Sequence, residues 1–250
     1  MNIYNFYNKI GWNKENKNSV DAELFEDLRF YASEYVATCR KKINKFIPHK
    51  GENLLDFASG PIQYKEYLSY SKNFQFRHCV DFSKKAIQEA KIKLGKHGKY
   101  YCADFLDIKL KENFFDCVVS MHTIYHIHKN KQKKTIEKLI RVTKKNRPII
   151  IVYSNPNTLL NKIKNIFIKK NSKQKIYFFC HPLGWWKQFE NLADIKIVCW
   201  RSFAAQHQKM LFPNNIIGRV MLKILLRLEE KFPNFFYKNF QYPLIILNKK

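Results

Sequence analysis

Apolar and polar positions change rhythm twice along this chain. Over residues 20–46, Leu24, Leu28, Tyr31, Tyr35, Cys39, Ile43 and Phe46 recur at intervals of three and four, and Pro48 and Gly51 follow. That is the period of one helix face, and the spacing predicts a single helix packed on the core. Residues 2–18 are polar and aromatic without a period; Tyr7 and Trp12 there either cover a ligand or pack. From residue 53, short apolar runs alternate with helix-period segments. Strands are predicted at 53–57, 76–81, 100–103, 116–120 and 148–153. Between them fall helices at 64–70, after the N-cap Ser83, and around Ile136, Leu139, Ile140 and Thr143. The unbroken run Ile149-Ile150-Ile151-Val152 suits a strand buried on both faces. This alternation predicts a doubly wound parallel α/β sheet.

After Ser154 the rhythm changes again. A basic helix is predicted at 159–170, then an aromatic segment at 177–189 interrupted by Pro182 and Gly184. Strands at 195–200 and 244–247 flank a helix at 216–232. That helix carries apolar Ile217, Val220, Met221, Ile224, Leu225 and Leu228, with Arg219, Lys223 and Arg227 on its polar side. Such a helix either buries its stripe in the core, the commoner outcome, or lies on a membrane surface. The layout is one domain: an N-terminal helical cap (1–50), an α/β core (51–155) and a C-terminal part with helical insertions (156–250).

Composition bounds the class. With 250 residues, 46% of them hydrophobic, the chain can bury a sizeable core. The formal charge of +26 suggests an anionic partner, but the lysines are spread over the whole chain and accompany abundant Asn, Ile and Phe with only seven Gly. Biased composition is the preferred explanation of that pattern over RNA, DNA or an acidic membrane surface as partner. None of the six cysteines forms a CxxC pair, and Cys79, Cys102 and Cys117 sit in apolar runs, as reduced thiols do. No apolar run approaches the ~20 residues of a membrane span, and the N-terminus has no secretory h-region. A cytoplasmic location is expected.

In an open parallel sheet, ligands sit beyond the carboxyl ends of the strands, where strand order reverses. The first strand runs into Asp56 and the small turn Ala58-Ser59-Gly60, which lets a ligand approach the backbone. The second ends in Asp81, 21 residues after Gly60, where a carboxylate accepts ribose hydroxyls. The third leads to Asp104-Phe105 and the fourth to Ser120-Met121-His122. Gly60 is the one glycine of its turn, which disfavours a pyrophosphate, and no P-loop is present. A nucleoside without phosphates fits better, and S-adenosylmethionine is one.

Residues 51–153 resemble the core of the class I S-adenosylmethionine-dependent methyltransferases. LLDFASG resembles the first family motif, CVDFSKKAI the second, YCADFLDI the third and FDCVVSMHTIYHI the fourth. RVTKKNRPIIIV resembles the segment usually reading Leu-Lys-Pro-Gly-Gly before strand five. SGPIQY, HTIYHI, HPLGWW, WRSF and QYP resemble a bacterial branch along the whole chain. Ala58 and Ile62 stand where two of the three first-motif glycines are usual, and Asn146-Arg147 replaces Gly-Gly. The resemblance implies a Rossmann-like seven-stranded sheet with an antiparallel last hairpin, and S-adenosylmethionine as cofactor. It implies that Asp56 helps to fix the turn and the cofactor's amino-acid tail, and that Gly60, in the Ala58-Ser59-Gly60 turn, gives the close approach. It assigns the ribose to Asp81, the adenine amino group to Asp104, the faces of the base to Phe82 and Phe105, and the neighbourhood of the reacting methyl to Ser120 or Met121.

Methyl transfer from a sulfonium is an in-line displacement in which the protein supplies position and, for many acceptors, a base. His122 and His126, on one face if a helix begins near Thr123, are the candidate bases, with His181 behind them. Histidines in loops more often cap or pack. No metal is expected, because the histidines lack a helical HExxH pattern. Tyr125, His181, Trp185 and Trp186 are the candidate acceptor walls, although core packing explains such rings equally well. The expected acceptor is a small molecule, lipid or glycan. RNA is the alternative raised by the charge, and no RNA-binding module accompanies it. A non-catalytic binding protein on the same fold is the alternative raised by Ala58 and Ile62. No transmembrane segment is expected, while peripheral membrane contact stays open.

Overall fold

The computed structural model describes residues 3–15, 18–162 and 176–250. Seven strands form its large sheet: β1 (Gly51–Phe57), β2 (Phe74–Asp81), β3 (Gly98–Cys102), β4 (Cys117–Met121), β5 (Pro148–Val152), β6 (Ala193–Arg201) and β7 (Tyr242–Lys249). Their spatial order is β3-β2-β1-β4-β5-β7-β6. β1 to β5 run parallel, and β7 runs antiparallel to both β5 and β6. The doubly wound sheet with an antiparallel last hairpin is therefore found, each strand within two residues of its expected bounds.

Successive residues of the central strands face opposite layers. Leu54, Val119, Ile150 and Ile246 meet Tyr35, Cys39, Leu222 and Leu225. Leu55, Val118, Ile151 and Leu247 meet Ile136, Leu139, Ile140 and Trp186. Both faces are covered, which is why these strands read as unbroken apolar runs. The main helices are α1 (Val20–Phe25), α2 (Ser33–Lys41), α3 (Lys84–Leu94), α4 (Lys129–Val142), α5 (Ala205–Leu211), α6 (Ile216–Lys231) and α7 (Pro233–Asn239). Ser83 caps α3 as expected, its hydroxyl accepting from the Ala86 N–H. The basic helix expected at 159–170 opens at 159–162, and the rest lies outside the described residues.

Two helices differ from their sequence patterns. The single helix expected over 20–46 is broken between α1 and α2, where Glu26 has extended backbone (φ −118°, ψ 152°). Buried Glu26 turns inward to accept from Arg40 at 2.8 Å and from Arg201 at 2.5 Å. Buried Asp27 accepts from Gln208 at 2.7 Å and from Arg29 at 2.8 Å. A buried carboxylate without partners costs more than a turn of helix gains, so the ion pairs decide. The stripe divides accordingly: Tyr35, Cys39 and Ile43 are buried, while Leu24 and Leu28 are exposed.

Helix α6 is rotated away from its expected contact face. Its inward stripe is Gly218, Leu222, Leu225 and Glu229. Glu229 fixes that rotation by accepting from Tyr35, Lys42 and Ser202 at 2.6 to 2.7 Å. Gly218 permits it, since a Cβ there would lie 1.8 Å from the Pro213 carbonyl oxygen. Ile217, Val220, Met221, Ile224 and Leu228, expected in the core, are 39 to 61% exposed.

Candidate active site

Strand order reverses between β1 and β4, and the candidate site lies beyond their carboxyl ends. The turn after β1 is fixed by three backbone N–H groups. Ser59 donates to the Val80 carbonyl at 3.1 Å. Gly60 and Ser83 donate to the two Asp81 carboxylate oxygens at 2.9 and 2.8 Å. Ala58, Gly60 and Ile62 all adopt left-handed backbone, with φ of 55°, 56° and 51°. The turn thus keeps a glycine conformation at two positions that are not glycine, at a cost of ~1–2 kcal/mol each. Ile62 offsets its share by packing, fully buried, with Cys79, Ile87 and Ala90. His122, just past β4, is also left-handed (φ 56°). Ala58 and His122, two of the left-handed non-glycine residues, thus line the same cavity, as functional strain does.

A cavity of about 240 Å³ opens here. Ala58, Ser59, Gly60, Asp81 and Phe82 form one part of its wall, and Met121, His122, Tyr125 and His126 another. Asp21, Glu26, Arg201 and Tyr242 add a charged and aromatic part. The N-terminal segment covers it. Trp12 stacks on Tyr7 at 4.9 Å, its ring 3.2 Å from where a Gly60 Cβ would stand, and Tyr4 lies 5.5 Å from Phe82. The Tyr7 hydroxyl donates to Asp21 at 3.0 Å.

Burial sets the protonation of this wall. It pushes the Asp81 carboxyl up to about 6, against the two backbone N–H donors. Burial also raises Asp21 to about 6, against the Tyr7 hydroxyl. Burial raises Glu26 too, but Arg201 and Arg40 outweigh it and hold that carboxyl at about 2. His122 is pushed down to about 3, chiefly by burial and then by Arg201, so its ring is neutral at pH 7. Its Nδ1 lies 2.7 Å from the Tyr125 hydroxyl. Burial lowers His126 as well. His126 Nδ1 is 2.9 Å from the Tyr177 carbonyl, which can only accept. The neutral ring therefore carries its proton on Nδ1, leaving the Nε2 lone pair free to take one.

Several residues singled out in the sequence lie off the cavity wall. Asp56 accepts from Arg77 Nη2 at 2.6 Å and Nε at 3.0 Å, a buried pair within the sheet. Asp104 is exposed and accepts from the Leu106 N–H. Phe105 packs on Phe57 at 4.5 Å in the core, where Lys138 holds its carbonyl and those of Leu106 and Ile108. Ser120 is buried, its hydroxyl without a partner among the described residues. His181 stacks on Trp185 at 4.4 Å, and Trp186 is buried edge-on against Tyr153. Conversely, Asp21, Glu26 and Arg201 are wall residues that the sequence did not single out. Arg201 lies within WRSF, a segment of the family resemblance, while the regular stripe of 20–46 concealed Glu26.

A doubly wound sheet of this order, with an acidic β2 end facing a turn at the switch point, defines the class I S-adenosylmethionine-dependent methyltransferase fold. Residues 55–151 match the family described as a methyltransferase domain. Among similar solved structures, a SAM-dependent methyltransferase from Archaeoglobus fulgidus is 19% identical (TM-score 0.55; 86% of this chain, 94% of that one). A putative S-adenosylmethionine-dependent methyltransferase from Listeria monocytogenes is 13% identical (TM-score 0.56; 86% and 99%). Haemonchus contortus phosphoethanolamine N-methyltransferase 2, solved with phosphomonomethylethanolamine and S-adenosylhomocysteine, is 16% identical (TM-score 0.54; 87% of this chain). This chain spans about half, 52%, of that protein. Likeness at these identities carries the fold. No curated protein matches the sequence. The methyltransferase-domain match spans residues 55–151 of this chain, on the fold shared with these S-adenosylmethionine-dependent enzymes. S-adenosylmethionine is the group such a domain implies.

The wall fits that group. Each Asp81 oxygen keeps a lone pair beyond its backbone contact, enough to accept hydroxyls. Trp12 offers a buried indole N–H that has no partner among the described residues. Among the described residues no helix is long and apolar enough to cross a membrane.

Proposed function

We propose that this protein methylates a small-molecule, lipid or glycan acceptor held on the histidine side of the cavity. One observation carries the reading: the Asp81-braced turn and the two histidines line a single cavity. Asp81 would accept the ribose hydroxyls, the 58–60 backbone would hold the amino-acid tail, Phe82 would flank the base and Met121 the methyl end. Asp56 acts from behind, its pair with Arg77 locking β1 to β2. When bound, the cofactor supplies a methyl group already activated on sulfur.

His126 is the base: its Nε2 would take the proton from an acceptor O–H or N–H as that atom bonds to the methyl carbon, while the carbon–sulfonium bond breaks and its electron pair returns to sulfur, leaving the neutral thioether. His122, kept neutral by burial, orients the Tyr125 hydroxyl on the acceptor side. Glu26, its charge answered by Arg201 and Arg40, keeps that wall rigid without adding a free anion. A covered cavity of about 240 Å³ favours a small acceptor or the end of a larger one over a folded RNA.

The test is thermal stabilisation by S-adenosylhomocysteine. At a hundredfold excess over Kd it is expected to add ~2.7 kcal/mol, a rise of about 5–10 °C for a chain of this size. Asp81→Asn is expected to lose most of that rise. Absence of any shift at millimolar ligand would overturn the reading.

A further inference from the structure

The rotation of α6 leaves an apolar surface exposed among the described residues. Ile217, Val220, Met221, Ile224 and Leu228 form a second stripe along the helix, pointing away from the inward one at Gly218, Leu222, Leu225 and Glu229. The surface continues onto neighbouring elements. Phe30, 76% exposed, belongs to the turn Phe30–Ala32, which packs against α6. Met210, 70% exposed, lies on α5, and Arg29 ties that helix to the same turn by donating to the Gln208 and Phe212 carbonyls. Large exposed apolar patches on folded domains mark interaction sites.

Charge decides the occupant. Arg219, Lys223 and Arg227 run along the edge of the exposed stripe, with Lys209 beside Met210. Glu34 pairs with Arg219 at 2.8 Å and Lys223 at 3.2 Å, which holds these cations at the rim. A second copy of the chain would set this cationic rim against itself and bring two molecules of charge +26 together. An anionic lipid surface reverses the sign, accepting apolar side chains below its headgroups while the basic rim meets the phosphates.

We propose that α6, with the Phe30 turn and α5, docks this protein on an anionic lipid bilayer. Phe25, half exposed, lines the cavity, and Asp27, two residues on, accepts from Gln208 of α5, so one short segment joins the cavity wall to this surface. The surface does not depend on the cofactor reading, and its test is carried out without cofactor.

The experiment is co-sedimentation of the full chain with vesicles of phosphatidylcholine, with and without one-third phosphatidylglycerol. Binding to the anionic vesicles is expected to be at least about tenfold tighter and to weaken with salt. Val220→Glu combined with Ile224→Glu, at two half-exposed positions, is expected to abolish it with an unchanged melting temperature. Ile92→Glu, at an exposed position on α3, makes the same kind of charge change elsewhere and is expected to retain most of the binding. Retention in the double variant, or no binding by the wild type, overturns the proposal. Self-association of the wild type that the double variant loses also overturns it, assigning the surface to a second copy.

Discussion

At the residue scale, the site depends on groups whose protonation is set by burial. His126 is the sharper base candidate because its hydrogen bond to the Tyr177 carbonyl fixes the tautomer, whereas Nδ1 of His122 faces a hydroxyl that both donates and accepts. His126→Gln is expected to lower kcat by ~10²–10⁴-fold and to leave S-adenosylhomocysteine affinity unchanged, measured by turnover and by calorimetry. Asp81 carries a different signature. Its folded carboxyl titrates near 6, above the ordinary value of 3.8, so the folded state holds this proton more tightly than the unfolded one. Lowering the pH from 7 to 5 therefore stabilises the empty fold through Asp81. In the proposed function, the same protonation removes the anion that receives the ribose hydroxyls. Affinity for S-adenosylhomocysteine is expected to fall below pH 6 in the wild type, and to be weaker but without this step in Asp81→Asn. A calorimetric titration at several pH values reads both. Ala58 and Ile62 both hold the left-handed backbone that glycine adopts most readily, so the turn is glycine-shaped without those glycines.

At the element scale, buried ion pairs settle what periodicity leaves open. The 20–46 pattern is regular enough for one helix, yet Glu26 leaves helical geometry to meet Arg40 and Arg201, which come from α2 and β6. Glu229 similarly turns α6 by one stripe. Propensity is worth tenths of a kcal/mol per residue, less than a deserted buried charge. Glu26→Gln is expected to cost ~3 kcal/mol or more by leaving the arginines underpaired, seen as a lowered denaturant midpoint. Its pH dependence has the opposite sign to that of Asp81. The Glu26 carboxyl, held at about 2 against an ordinary 4.5, contributes stability above 4.5 that is lost as pH falls. The gap between wild type and variant is expected to close below that pH.

At the scale of the whole molecule, the core and the site were legible to different degrees. The strands, their order of appearance and the covered faces followed from the sequence alone, because burial on both sides of a parallel sheet forces unbroken apolar runs between helix-period segments. The Ala58-Ser59-Gly60 turn, Asp81 and the two histidines were legible for the same reason: strand ends mark the switch point, and all of them line the cavity. Asp104, Trp185 and Trp186 also stand at suggestive positions in the sequence, but their side chains turn to solvent, to a neighbouring ring or to the core. Side-chain direction depends on long-range partners such as Lys138, which draws the 105–108 turn onto α4. The apolar surface of α6 was hidden in the same way, since both of its stripes have helical spacing. The sequence by itself determined the sheet, the switch-point turn and its acidic partner, all set by local pattern. Only the tertiary structure decided which helix face stays outside, where Glu26 and Arg201 meet, and which rings enclose the cavity, because each depends on contacts between residues far apart in the chain.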